Sequence, residues 1–226
     1  MGNESHFWPA VGAIAGTAGV ILTLYRGFFH KKLFPPRLTH SFHLCEPWCL
    51  PISQPAGSGG VSELVHYLRI CIKNGGHRVA EDVEVYLARV RVKDDSAPAA
   101  WMDLPGFRPG RLTWEQSSEG ILPHLASKMR RFCDFATLRQ QSFPPSPGEV
   151  PRPYLQFSTE IPEKSRVKPG TTFRAEIRIS SRNTHMPYLE PEIFLNDRWP
   201  VSAEEMERTL SVTGFGGADL EKARKT

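Results

Sequence analysis

Residues 39–51 read THSFHLCEPWCLP and place His40, His43, Cys45 and Cys49 within ten positions. Thiolate and imidazole groups suit zinc, and four of them complete a tetrahedral site. The alternation of the same stretch argues for different work. Leu38, His40, Phe42 and Leu44 alternate with Thr39, Ser41, His43 and Cys45, the period of a half-buried strand. On a strand, positions 40 and 43 face opposite ways, and so do 40 and 45. Only His43 and Cys45 share a face, and Cys-x-x-x-Cys is not the usual two-residue knuckle. The metal reading, on His43, Cys45 and Cys49, is therefore the alternative. The main reading is a first strand followed by a proline-containing turn. A Cys45–Cys49 disulfide is disfavoured in a reducing compartment.

Acid–base chemistry has scattered candidates. Asp94, Asp95, Asp103, Glu115 and Glu119 could pair as acid and base, and His66, His77, His124 and His185 are dispersed, read as surface or loop residues. No nucleophile elbow, zincin helix, phosphate loop with its lysine, or dinucleotide fingerprint occurs. An enzyme with a dispersed acidic and histidine site is thus a second alternative; no catalytic residue and no cofactor is expected. Lys128, Arg130 and Arg131, with Arg89, Arg91 and Lys93, could form a basic stripe interleaved by Phe132 and Phe135. Such a stripe suits single-stranded nucleic acid. Attraction to anionic lipid headgroups is the simpler account. Trp101, Met102, Phe107 and Trp114 carry the aromatic enrichment of an interface, and could equally cap a core.

These residues must be positioned by a chain of 226 residues, 40% apolar and 23% charged, with net charge +4, which is ordinary globular usage. It is not the charge density of a dedicated nucleic-acid binder. Twenty prolines and eighteen glycines suit a β-rich chain with many turns. Four cysteines are too few for a disulfide scaffold of this length.

Residues 7–25, FWPAVGAIAGTAGVILTLY, carry no charge. A run of about 19 residues approaches the roughly 20 needed to cross a bilayer core, so a transmembrane helix is expected. Trp8 and Tyr25 lie at its ends, and Arg26, Lys31, Lys32 and Arg37 follow it. By the positive-inside rule the amino end lies outside and the rest is cytoplasmic, at the inner membrane. Gly12 and Gly16 give a GxxxG spacing that could pair two copies.

Thereafter strands dominate. Leu68, Ile70 and Ile72 share one face of 63–74, with Tyr67, Arg69, Cys71 and Lys73 on the other. Asn74, Gly75 and Gly76 read as a positive-φ hairpin turn. Val83, Val85 and Leu87 share a face that switches near Arg89, which marks a bulge. Residues 121–139 are ambiguous: Leu122, Leu125, Met129, Phe132 and Ala136 fit a helical stripe, and strand alternation fits poorly by hydrophobicity alone. Phe173, Ala175, Ile177 and Ile179 alternate inward. Ser202 and Glu205 form a capping box before a short helix at 203–210. The organisation expected is residues 1–6 outside, a membrane helix at 7–25, a basic, proline-broken spacer at 26–37, a β-sandwich at 38–212 and a tail at 213–226. Roughly seven to nine short strands make the class mainly β.

The segment LRICIKNGGHRVAEDVEVYLARV resembles the N-x-G-x-x-x-A-x-x-V-x-V hairpin of bacterial immunoglobulin-like domains of the cell-adhesion-related and fibronectin-like kinds, through Asn74, Gly76, Ala80, Val83 and Val85. KPGTTFRAEIRI is similar to a late strand of such domains. With the apolar run and the motif at residues 199–206, the whole looks like uncharacterised bacterial membrane-anchored proteins. The resemblance covers roughly residues 62–206. It implies an immunoglobulin-like antiparallel sandwich, favours a strand at about 130–138, and implies no particular activity. The expected function is a membrane-anchored, non-catalytic module that binds another protein through a sheet edge or loop end.

Overall fold

A computed structural model describes residues 16–23, 25, 35–55, 62–93, 100–115, 119–140, 152–159, 166–185, 188–202 and 205–214. Two antiparallel sheets enclose one core. The first holds β1 (Leu38–Ser41), β2 (Cys49–Pro55), β3 (Ser62–Asn74), β7 (Thr113–Trp114), β9 (Arg130–Gln140), β10 (Pro153–Phe157) and β11 (Arg166–Val167). The second holds β4 (Ala80–Lys93), β5 (Trp101–Asp103), β6 (Gly110–Arg111), β8 (Ile121–Leu125), β12 (Thr171–Ser181), β13 (Thr184–His185), β14 (Glu192–Leu195) and β15 (Leu210–Thr213). A short helix, α1 (Met206–Thr209), precedes β15.

The alternation of apolar residues fixes which faces meet. Leu68, Ile70 and Ile72 of β3 are buried against Val83, Val85 and Leu87 of β4 and Phe173, Ala175 and Ile177 of β12 in a single cluster. Phe157 sits at its centre, with Phe135 at 5.4 Å and Phe173 at 5.7 Å, both edge to face. Each such pair adds roughly 0.5–1.5 kcal/mol beyond its buried area. The face switch in β4 is a bulge: Glu176 pairs with Arg89 but Ile177 pairs with Leu87, leaving Ala88 unopposed. A second bulge lies in β9, where Leu68 pairs with Ala136 and Arg69 with Asp134, leaving Phe135 extra.

Three expectations are corrected. Among the described residues no helix is long and apolar enough to cross a membrane. The expected transmembrane helix is therefore not supported. Gly12 of the expected helix pair, residues 1–15 and 26–34, and the tail from 215 lie outside the described residues; Gly16 meets no atom within 4 Å of an added Cβ.

The second correction concerns Asn74–Gly75–Gly76. This is no hairpin, because β3 and β4 lie in different sheets; the turn is an arch between them. Neither glycine takes a positive φ. Gly76 is needed for close approach instead: a Cβ there would stand 2.5 Å from the Arg37 nitrogen and 2.7 Å from the Pro35 oxygen. Asn74 closes the arch. Its Oδ1 accepts from Gly76 N–H at 3.0 Å and Arg37 N–H at 3.2 Å. Its Nδ2 donates to the carbonyls of Arg78 at 2.6 Å and Leu125 at 2.9 Å. The third correction is local: the helix begins at Met206, and Glu205 accepts from Val201 N–H at 3.0 Å rather than closing a box with Ser202.

Residues 121–139 resolve into β8 and β9, so the stretch is strand. The edge beside β3 is one strand broken in two. β1 pairs with residues 71–74 and β2 with residues 62–68, both antiparallel, and residues 42–48 loop out between them. Pro51 and Pro55 in β2 lack donors and blunt this edge against further pairing.

Candidate functional site

The strand alternation at the opening stretch holds through Phe42, which is buried in the core, and then stops. In the loop, Cys45 O accepts from the N–H groups of Trp48 at 2.9 Å and Cys49 at 3.0 Å, while Trp48 O accepts from Arg69 N–H at 2.7 Å. His43 lies edge-on to Trp48 at 4.4 Å, and Trp48 edge-on to Phe132 at 5.8 Å. These rings lie over the outer face of the first sheet, where Phe132 is paired opposite Cys71. Cys49 is buried, and its thiol donates to the His43 carbonyl at 3.5 Å. Burial, with Cys45 adding to it, pushes the Cys49 thiol up to about 12. No three His, Cys, Asp or Glu side chains converge as metal ligands among the described residues. Burial raises all four thiols above the ordinary cysteine value. The stretch builds an edge and its cover.

The expected basic stripe divides between the two sheets. Arg89 and Arg91 belong to β4, and their ion-pair partners are Asp103, at 2.5 Å, and Glu190. Lys128, Arg130 and Arg131 stand at the start of β9 in the other sheet, exposed. Phe132 and Phe135 are buried and have no face for a base. The bulge places Phe135 in the core, while Phe132 lies on the outer face against Trp48.

The acid and histidine candidates are equally dispersed. Asp94 and Asp95 lie outside the described residues. Asp103 is held low by its bonds from Arg89 at 2.5 and 3.0 Å. Asp134 shares Arg69 with Glu115, at 2.9 and 3.7 Å, and burial raises its carboxyl despite the guanidinium. His77 and His124 are exposed. His66 differs from its expected surface position: it is fully buried on the inward face of β3. Its Nε2 meets the Pro200 carbonyl at 3.2 Å, and its ring lies edge-on to Trp199 at 5.4 Å. A carbonyl only accepts, so Nε2 carries the proton. Nδ1 is buried with no hydrogen-bond partner, and burial lowers the imidazole's affinity for a second proton. Parity could have found it, since 66 shares a face with Leu68, Ile70 and Ile72.

The four interface candidates part ways. Trp114 is 3% exposed and packs in the core, so it cannot dock a partner. Phe107 packs on the core, with its ring edge-on to Phe157 at 6.2 Å. Trp101 and Met102 remain at the surface. Trp101 is half-buried under the Arg174 guanidinium at 4.2 Å, with the Lys93 ammonium at 6.0 Å. Arg174 is in turn fixed by Glu192 at 2.9 and 3.1 Å. Met102 beside it is 48% exposed, and Phe194 is exposed on the same sheet.

No family model and no curated protein matches the chain. Among solved structures it is similar to a β-glucosidase involved in saponin metabolism from intestinal bacteria, at 13% identity and a TM-score of 0.24. The alignment covers 69% of this chain and 16% of that one, so the chain spans a small part of that protein's length. At that score the likeness carries no argument about fold or activity.

Proposed function

We propose that the chain is a non-catalytic interaction module, an immunoglobulin-like sandwich that docks a protein partner on the outer face of its second sheet around Trp101. The observation that supports this reading most is the preparation of that ring. Two cations hold it in one place, one of them Arg174, whose Nε and Nη2 both donate to Glu192 Oε2, with Met102 exposed at its side. Rigid aromatic and arginine anchors lose little entropy on association and are the residue types that dominate interface energetics. Among the described titratable groups, by contrast, Asp103, Glu115 and Asp134 serve ion pairs and His66 is packed in the interior.

A photo-crosslinking residue at Met102, in cells of the source organism, tests the reading. A discrete adduct is expected that Trp101→Ala abolishes and that the same residue at Val201 does not give. Adducts of equal yield from both positions, insensitive to Trp101→Ala, contradict it.

A further inference from the structure

Antiparallel pairing brings the start of β1, the end of β3, the start of β4, the end of β8 and the start of β9 to one end of the sandwich. Exposed Arg37, Lys73, Lys128, Arg130 and Arg131 and half-buried Arg78 lie there. Among the described residues, none of the six forms an ion pair. The acids beside this end are Glu81 and Asp82 of β4 and Glu115, whose N–H donates to the Phe132 carbonyl of β9. On the outer face of the second sheet, by contrast, Arg89, Arg91, Arg111, Arg174 and Arg178 each have a carboxylate partner. Apolar side chains sit between the cations at the turn tips: Met129 is 47% exposed and Val79 is 41% exposed.

The turns are stiff. Lys128 holds a φ of +63° while its N–H donates to the Asn74 carbonyl at 2.7 Å. The Ser127 hydroxyl bonds the Gly76 carbonyl at 2.6 Å, and Asn183 Nδ2 bonds the Val79 carbonyl at 3.0 Å. Residue 37 joins this end through Gly75 N–H at 2.8 Å.

We infer that this end of the sandwich is a docking surface for an anionic lipid bilayer. The cations would face the headgroups, with Met129 and Val79 at the headgroup–acyl boundary. Each cation near such a surface contributes about five-fold in partitioning, and the attraction is screened by salt. Nucleic acid shares the charge requirement but not the rest. It calls for a series of aromatic platforms along a groove, whereas the exposed large apolar side chains between these cations, Met129 and Val79, are aliphatic and stand at turn tips.

The experiment is sedimentation of the full chain with vesicles of phosphatidylcholine alone and of phosphatidylcholine with phosphatidylserine. The variant is Lys128→Asn, Arg130→Gln, Arg131→Gln; asparagine tolerates the positive φ. The control is Arg166→Gln, Arg198→Gln, Arg208→Gln, which removes equal charge from exposed sites at the opposite end. The expected result is stronger binding to the serine-containing vesicles, weakened roughly 100-fold by the first variant and little by the control. Met129→Ser should weaken it further without changing charge. Equal loss in both triple variants, or phosphatidylserine-independent binding untouched by either, overturns the inference. So does tighter binding of a single-stranded oligonucleotide at the same salt.

Discussion

The two ends of the sandwich are closed by different chemistry. At the basic end, side-chain amides bond backbone: Asn74 uses its whole amide on four partners, and Asn183 reaches Val79 and Glu81. At the opposite end the loop after β14 is held by ring packing and one histidine, with Trp199 and Pro200 over His66. Amide-tied turns leave every long side chain free to face outward, which is how cations and Met129 come to crowd one surface. An aromatic lid does the reverse and draws side chains into the core.

This contrast can be broken residue by residue. Asn74→Ala should have the largest effect, since it strands two buried donors and two carbonyls. A loss of roughly 4 kcal/mol in urea unfolding is expected. A loss under about 1 kcal/mol would mean that water replaces the amide. Gly76→Ala should follow at about 2–3 kcal/mol, because the intruding Cβ meets backbone on the strand-entry segment rather than a movable side chain.

The histidine end sharpens the comparison through pH. The folded-state affinity of His66 for a proton lies below the ordinary value of 6.5, and the unfolded chain therefore binds more protons in mild acid. Its stabilisation is complete above 6.5 and is lost as pH falls below that value. Unfolding free energy measured from about pH 7.5 to about pH 5 should drop in the natural protein and drop less in His66→Phe. Parallel profiles would remove His66 as the cause. The smallest effect is expected from Asp103→Asn. The pair is exposed on the sheet surface, so the urea midpoint should stay where it is.

Much of this architecture is legible in the sequence where alternation is unbroken. β3, the first half of β4 and β12 declare their inward faces by period two, and the change of face near Arg89 marks the bulge at Ala88. What hides is whatever depends on which strand lies beside which. Leu122, Leu125, Met129, Phe132 and Ala136 mimic a helical stripe because the turn between β8 and β9 and the Phe135 bulge interrupt the period of two. Asn74 and Gly76 have hairpin letters, and only the sheet partners of β3 and β4 reveal an arch. The basic stripe fails for the same reason, as its halves stand in different sheets. Trp101 and Trp114 look alike by composition; one faces solvent cations and the other crosses to the first sheet beside Cys133.

The most direct test of the difference between the ends is amide hydrogen exchange on the full chain, with and without phosphatidylserine-containing vesicles. Slowed exchange confined to residues 75–79 and 126–131, with residues 196–202 unchanged, is the predicted result. Slowing at 196–202 and none at 126–131 would contradict the account.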